Sequence, residues 1–569
     1  MAITRTEDLK LGELLLRQGV VTREDLEKAL REQKAMGGFI GQVLVRLGMA
    51  TEEQILPILS KQLGIPYVVV KDLEVPTAVI EKVPAKFASH YKLLPITFEG
   101  NVLNLVVTDP FDVQMLDDLR ILLGCEVKPL LGGERDILDA IRRYYGVGAG
   151  TLEEMMDLED KEKPSVRERG QTTENIADLA EDASVVKFVN QIFLQAVQDR
   201  ATDIHFEPFE NDLRIRFRVD GILYEIHFPP TIKNFQSAIT SRIKIMANLD
   251  IAERRLPQDG RIKVKINDRE LDLRVSILPT PFGESVDVRL LSTNILFGLE
   301  KLGLSEHDQD LLETVIKKPH GIIFVTGPTG SGKTTTLYAC LNKINTTEKK
   351  IITIEDPIEY QLRGITQVQI FSKIGLTFSN GLRTMLRHDP DVMMVGEVRD
   401  FETAEIAIRI ALTGHLVFST LHTNDAAGAV TRLLDMGIEP YLVAASVECL
   451  IAQRLVRTIC PSCRKESFLD EKLLSVLGVA PSGERFKVFQ GEGCEGCKFT
   501  GYRGRTAIYE MLLVDEEIRE KAARATNASE IKHLAVQKGM RTLRQDGWEK
   551  VLQGITTPAE VIRVAQEGA

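Results

Sequence analysis

At 569 residues the chain is too long for one hydrophobic core, and roughly 150 residues per domain predicts three or four domains. A composition of 44% hydrophobic and 27% charged residues excludes fibrous and disordered classes. The net charge of −11 weighs against a nonspecific nucleic-acid motor, whose phosphate contacts need a basic surface. Apolar stretches such as Gly321 to Gly327 and Ile406 to Leu421 are too short, or too interrupted by Arg409 and His415, to span a bilayer. The first residues, MAITRTEDLK, have no apolar run behind their charges, so a cytoplasmic address is expected.

An internal repeat opens the chain. KLGELLLRQGVVTREDLEKALREQ from Lys10 to Gln33 recurs as FIGQVLVRLGMATEEQILPILSKQ from Phe39 to Gln62. Each copy predicts a short helix, a Gly stop, a Thr N-cap and a second amphipathic helix, and so a duplicated helical hairpin over 1–65. Residues 66–146 alternate strand and helix patterns, including VLNLVVTDP and DVQMLDDLRILLG, as in a small α/β module. From Gly146 to Asn175 the sequence is charged and lacks periodicity, and a flexible linker is expected over 147–178. Helical VVKFVNQIFLQAVQDRA and the alternating runs LRIRFRVDG, RIKVKI, RELDLRVSIL and SVDVRLL predict an α+β domain on an antiparallel sheet over 179–298. Beyond it GIIFVTG, IITIED, VMMVGEV and LVFSTLH are buried strands of a parallel sheet flanked by helices, within 299–569.

Gly327-Pro328-Thr329-Gly330-Ser331-Gly332-Lys333-Thr334-Thr335 has P-loop spacing and lies between a strand and a helix, which sets it apart from a merely structural Gly-rich turn. Its glycines let backbone N–H groups surround a β-phosphate at the helix N-terminus; Lys333 reaches the β/γ-phosphates and the Thr334 hydroxyl can ligate Mg²⁺. DPDVMMVGEVRD ends in Gly396-Glu397, where a carboxylate can organise Mg²⁺ or its water. IITIEDPIEY adds Glu355, Asp356 and Glu359, of which Glu359 is the candidate to orient the attacking water and accept its proton; the alternative is a solvated acidic turn. GHLVFSTLHTND puts His415 and His422 at the two ends of a strand, one of them a candidate γ-phosphate sensor, with core or capping roles as the rival reading. Cys460, Cys463, Cys494 and Cys497 form two CxxC pairs suited to structural, tetrahedral Zn²⁺ in a lobe at 455–505, against redox dithiols; Cys125, Cys340 and Cys449 read as small buried hydrophobes. Asp203, His205 and Glu207 alternate on one strand, which by itself only places three polar groups on one sheet face. Arginines at 214, 216, 218, 274 and 289 recur in the same domain, where a motor can keep positive charge for its transition state.

Together, the P-loop, IEDPIEY, VGEVRD, GHLVFSTLHTND, the tetracysteine insertion, TDIHFEP and RRLPQDGRI resemble the type II/type IV secretion ATPase superfamily, from about Ser184 onward. The resemblance implies a multidomain α/β chain: a RecA-like P-loop core, a preceding α+β, PAS-like N2 domain and an N-terminal helical-repeat and α/β N1 module. It also implies a cytoplasmic homohexamer that hydrolyses ATP with Mg²⁺, associates peripherally with the inner membrane and drives a platform protein and other cytoplasmic pilus or secretion components, without nucleic acid. Carried over by motif, Glu359 and Glu397 are its key carboxylates, Arg383, Arg387 and Arg399 flank the nucleotide, and Arg274 and Arg289 reach it from N2. Having both the terminal repeat and the cysteines, the chain looks like an assembly ATPase, with pilus extension ahead of type II secretion. The repeat resembles cyclic-di-GMP-binding modules, but these often begin Arg-Leu-Gly, and here Lys10 and Phe39 stand in the arginine's place. Lysine lacks the planar fork that stacks on guanine, so cyclic-di-GMP binding and plain protein docking both stay open.

Overall fold

The computed structural model describes residues 11–36, 39–71, 73–110, 112–146, 151, 183–266, 269–292, 298–469 and 486–565. Lys10 and, apart from Thr151, the linker expected at 147–178 lie outside the described residues. Among the described residues no helix is long and apolar enough to cross a membrane. The chain divides into two units, Met1–Leu290 and Leu291–Ala569.

The first unit begins with four helices, Leu11–Arg17, Arg23–Met36, Ile40–Arg46 and Glu52–Leu63. Equivalent positions of the two copies are buried alike: Leu14 with Val43, Leu15 with Leu44, Val21 with Ala50, Leu26 with Ile55, and Ala29 with Ile58. Gly19 and Gly48 end the short helices at φ of 71° and 69°, in the left-handed region where glycine carries no steric penalty. The Thr22 hydroxyl accepts from the Asp25 N–H at 3.2 Å, and the Thr51 N–H donates to Gln54 Oε1 at 3.0 Å, so each second helix is capped.

A three-stranded sheet follows, with β1 (Leu93–Glu99) antiparallel to β2 (Val102–Val107) and β2 parallel to β3 (Glu126–Leu131). The helix Val113–Leu123 makes the parallel crossover, and Ile137, Ala140 and Ile141 of the helix Glu134–Tyr145 join the same core. Helix Ala183–Gln198 leads into β4 (Ala201–Pro208), β5 (Leu213–Val219), β6 (Ile222–Ile226), β7 (Gln258–Ile266), β8 (Arg269–Thr280) and β9 (Gly283–Ser292). These form one sheet ordered β6-β5-β4-β9-β8-β7, with β4–β5, β4–β9, β5–β6 and β7–β8 antiparallel. Ile204, Phe206, Ile215 and Phe217 point into its core.

The polar face of β4 is taken up by ion pairs. Asp203 meets Arg289 at 2.9 Å and Arg218 at 3.6 Å, Glu207 meets Arg214 at 3.1 Å and Arg216 at 2.5 Å, and His205 Nδ1 lies 3.3 Å from Asp287. Asp203 and Glu207 thus serve cross-strand charge pairing, with His205 beside Asp287 between them, as their spacing alone allowed.

The second unit is built on a seven-stranded sheet ordered β12-β11-β13-β14-β10-β15-β18. Its strands are β10 (Gly321–Thr326), β11 (Ile351–Glu355), β12 (Thr366–Gln369), β13 (Val392–Val395), β14 (Leu416–Leu421), β15 (Val447–Ile459) and β18 (Tyr502–Leu513). All neighbours are parallel except β15–β18. Ile322 and Phe324 enter one apolar cluster while Ile323 and Val325 enter another, so helices cover both faces and the strands are apolar throughout. Between β15 and β18, β16 (Arg464–Phe468) and β17 (Lys487–Gly491) form a separate antiparallel hairpin.

Candidate functional site

Because β10, β11, β13 and β14 run parallel, their carboxyl ends share one edge of the sheet, and the sequence motifs follow those ends. The loop from Gly327 to Gly332 leaves β10 at that edge and enters the helix Lys333–Ile344. Gly332 caps this helix with φ of 87°, and a Cβ there would lie 2.8 Å from Gln453 Nε2. Any other residue would therefore be strained and would also displace the Gln453 amide. Pro328, Thr329 and Gly330 are exposed, whereas Ser331 is buried and its Oγ has no hydrogen-bond partner among the described residues. Lys333 Nζ donates to the carbonyls of Gly327 at 2.7 Å and Pro328 at 3.0 Å. Burial pushes the ammonium down to about 8, an effect that Glu397 opposes and Arg454 reinforces.

Glu397 follows β13, whose end is pinned by Ser419 Oγ donating to Val395 O at 2.8 Å and Thr420 Oγ1 donating to Gly396 O at 2.7 Å. The mostly buried Glu397 carboxylate pairs with Arg399 at 2.5 Å and lies 3.7 Å from His422 Nε2. Burial and the Lys333 charge lower the His422 pKa against the pull of Glu397, which keeps the imidazole neutral near pH 7. Lys333, Glu397, Arg399 and His422 therefore form one electrostatic cluster at the head of the P-loop. Beside it opens a cleft of about 520 Å³ lined by Asp356, Thr377, Asn380, Glu397, Arg399 and Asp400, among others.

Other residues singled out in the sequence fall elsewhere. His415 precedes β14, at the sheet edge opposite the P-loop, where Nδ1 lies 3.2 Å from Ile410 O at the end of the helix Phe401–Leu412. It is the capping histidine, and the strand's direction leaves His422 as the one beside Lys333. Glu355 is buried, and its carboxylate accepts from Thr353 Oγ1 at 2.6 Å, Gln367 Nε2 at 3.2 Å and the Tyr338 hydroxyl. It faces internal donors rather than the loop, and burial raises its pKa in spite of them. Glu359 lies in the turn beyond, its N–H directed at Tyr338 Oη at 3.3 Å. Arg383 pairs with Glu402 at 2.8 Å on an exposed surface, and Arg387 donates to Arg383 O at 3.0 Å. Arg289 is held by Asp203, and Arg274 lies opposite Arg261 on β7; both belong to the first unit.

Sequence reasoning missed Gln453, Arg454 and Tyr338. Thr336 Oγ1 donates to Gln453 Oε1 at 2.8 Å, and Arg454 donates to Asn424 O at 2.7 Å, so β15 braces the P-loop helix and the turn between β14 and the helix Ala426–Asp435. Their signal is the register of β10 on β15, where Thr326 faces Ala452. No local pattern announces it.

The half-buried Thr334 hydroxyl and the Glu397 carboxylate are hard oxygen donors, which fit Mg²⁺. Bound there with nucleotide, the ion would supply charge neutralisation on the phosphates. The protein's own part would be to hold phosphate oxygens with loop N–H groups and Lys333, and to present a carboxylate to water.

The four CxxC thiols come together, every ligand atom within 4.8 Å of the others. Sγ separations are 3.8 Å for Cys460–Cys494, 3.8 Å for Cys463–Cys497 and 3.7 Å for Cys494–Cys497. With Zn–S of about 2.3 Å, a regular tetrahedron places its sulfurs about 3.8 Å apart, so the donors fit zinc with no open position. Burial would raise the Cys497 thiol, but the N–H groups of Cys494 and Gly501 at 3.1 and 3.3 Å help hold it down to about 7. Of the other cysteines, Cys340 and Cys449 are buried, and burial pushes both thiols up to about 12; Cys125 is only half-buried, against the core of the three-stranded sheet.

A Gly-rich loop between a central buried strand and a helix, with a carboxylate at the end of a neighbouring parallel strand, defines a P-loop ATP hydrolase on a RecA-like sheet. The chain belongs to the family described as type II/IV secretion system protein, which it matches over residues 178–563. An MshEN domain matches residues 63–151, beginning where the second repeat copy ends. The chain is 44% identical to the type IV pilus assembly ATPase PilB of Myxococcus xanthus, over 97% of this chain and 98% of that one. It is 42% identical to the type II secretion system protein E of Xanthomonas campestris pv. campestris, over 99% of both. Among solved structures, the Legionella pneumophila ATPase DotB is 22% identical, with a TM-score of 0.48, over 66% of this chain and 94% of that one.

Proposed function

We propose that this ATPase powers assembly of a type IV pilus. The observation that carries the reading is the end-to-end match to a pilus assembly ATPase at 44% identity, which takes in the N-terminal modules as well as the motor. On this reading the chain works as a homohexamer at the cytoplasmic face of the inner membrane and turns a platform protein. Lys333, Thr334, Glu359 and Glu397 serve ATP and Mg²⁺, with Arg399 and His422 beside the γ-phosphate, and Arg274 and Arg289 are the further arginines that lend charge. The 42% match to a type II secretion protein favours a second reading, pseudopilus assembly for protein export. Deleting the gene separates them. Loss of surface pili with secreted enzymes still exported, restored by wild type but not by Lys333→Ala, is the expected result; the reverse pattern assigns the chain to secretion.

Cyclic-di-GMP is the ligand we assign to the repeat, whose paired glycines bring the helices close. A Cβ at Gly12 would lie 2.8 Å from Leu26 Cδ1, and one at Gly41 3.3 Å from Ile55 Cγ2. The exposed Phe39 ring offers a stacking face where Arg-Leu-Gly modules offer a guanidinium. Calorimetry on the full chain is expected to show saturable heat with cyclic-di-GMP. Absence of heat at high micromolar ligand leaves the repeat as a docking hairpin.

A further inference from the structure

Tyr338 lies on the P-loop helix five residues beyond Lys333, and the side chain is almost wholly buried. Its hydroxyl donates to Glu355 Oε2 at the end of β11. The same oxygen accepts from the N–H of Glu359 at 3.3 Å. The phenol thus donates to the strand end and accepts from the acidic turn. Glu355 is anchored in turn by Thr353 and Gln367, and Gln367 Nε2 also donates to Tyr360 O at 3.0 Å. The Tyr338 and Tyr360 rings meet edge to face at 6.1 Å.

Burying a carboxylate and a phenol together is costly unless their polar atoms are satisfied, and a phenylalanine would fill the same space without that demand. What the polar network adds is a fixed relation between two segments far apart in sequence. One is the helix that begins with the phosphate-binding lysine; the other is the turn that carries Glu359.

The geometry points to Tyr338 as a positioning residue for ATP hydrolysis: clamped by Glu355, its hydroxyl holds the backbone at Glu359, so that the Glu359 carboxylate is set in register with Lys333. The inference rests on the reading of Glu359 as the group that orients and deprotonates water. Because misplacing a catalytic group by about 1 Å can cost on the order of a hundredfold in rate, loss of one hydroxyl should appear in turnover more than in binding.

The test compares full-length Tyr338→Phe, Glu359→Gln and the double variant, by steady-state kcat and KM, single-turnover rates and thermal melting. Tyr338→Phe is expected to lower kcat about tenfold or more while KM stays within about threefold. In the Glu359→Gln background the same change should have no further effect on the single-turnover rate, because its route of action is already gone. Glu355→Gln, which keeps an acceptor for the hydroxyl, should retain more turnover than Tyr338→Phe and guards against a result that reflects only a less stable fold. Unchanged kcat in Tyr338→Phe, or an equal loss added on top of Glu359→Gln, overturns the inference even if Glu359→Gln is inactive. Wild-type turnover in Glu359→Gln refutes the assignment of Glu359 itself, and the inference falls with it.

Discussion

Glu397→Gln is expected to cut steady-state ATP turnover by about a hundredfold or more, the usual scale for removing a carboxylate that handles water or its metal ion. Each tenfold step is about 1.4 kcal/mol of barrier, so the loss is about 3 kcal/mol. Glutamine keeps the shape of the side chain and an acceptor for Arg399, whose guanidinium lies 2.5 Å from the carboxylate, so the sheet edge should stay folded. What it removes is the negative charge facing Lys333 and His422. That charge raises the Lys333 pKa against burial, which has brought it to about 8. A lysine is charged below its pKa, so nucleotide binding by the free wild-type protein should weaken above about pH 8. Without Glu397 the lysine pKa falls further, and the same weakening should begin at lower pH. Fluorescent-nucleotide titrations from about pH 6.5 to about pH 9, a window that spans the titration of that lysine, check the shift. Unchanged turnover in the variant would refute the role given to Glu397.

What the sequence disclosed of this site follows from how local each feature is. The P-loop is contiguous, and its glycines and lysine are spaced by the backbone itself, so the loop and its place between strand and helix could be read directly. The duplicated hairpin was equally legible, because twenty-nine-residue offsets map Leu15 onto Leu44 and Val21 onto Ala50, and both members of each pair are buried. The two histidines were not separable by spacing, since both flank β14; only the strand's direction puts His422 with Lys333 and His415 at the far edge. Glu355 and Glu359 are both acidic residues at a strand end. The buried donors that claim Glu355 come from Tyr338, 17 residues away, and from Gln367, 12 residues away, a matter of tertiary packing. Arg289 finds Asp203 across 86 residues, and periodicity carries no record of that partner. The long β15–β18 pairing was hidden for the same reason: the cysteine lobe intervenes between the strands, so the antiparallel edge of an otherwise parallel sheet has no local signature.

Stripping zinc from the cysteine centre, or replacing Cys460 by Ser, is expected to unfold the lobe between β15 and β18 while leaving the parallel sheet intact. In isolated zinc peptides the metal contributes about 10 kcal/mol or more to folding, so the lobe's local stability is at stake. Without the metal the hairpin β16–β17 keeps only packing at its base, where Val488 joins the main apolar cluster and Phe486 meets Trp548 edge to face, and the Arg464 contact with Gln553 O. Its exposed residues include Arg464, Lys465 and Glu466, and two isolated strands are marginal in water. Where the lobe joins the sheet, by contrast, Ile459 N donates to Ile555 O at 2.8 Å and Cys460 N to Gly501 O at 2.9 Å. Those bonds tie the roots of the lobe to the C-terminal segment and to its own returning strand, so the loss should stop near residue 459. Chelation in the presence of a thiol reductant is therefore expected to expose sites between Cys460 and Gly501 to limited proteolysis and to lower the melting temperature. The reductant matters because sulfurs at 3.7 and 3.8 Å need little movement to oxidise into disulfides, which would staple the lobe without metal. The effect on catalysis should be smaller than that of Glu397→Gln, since Gln453 and Arg454 on β15 meet the P-loop side of the sheet inside the strand's intact part. Metal analysis of reductively purified protein should find one zinc per chain, and its absence, or an unchanged melting temperature in Cys460→Ser, would remove the structural role assigned to these four thiols.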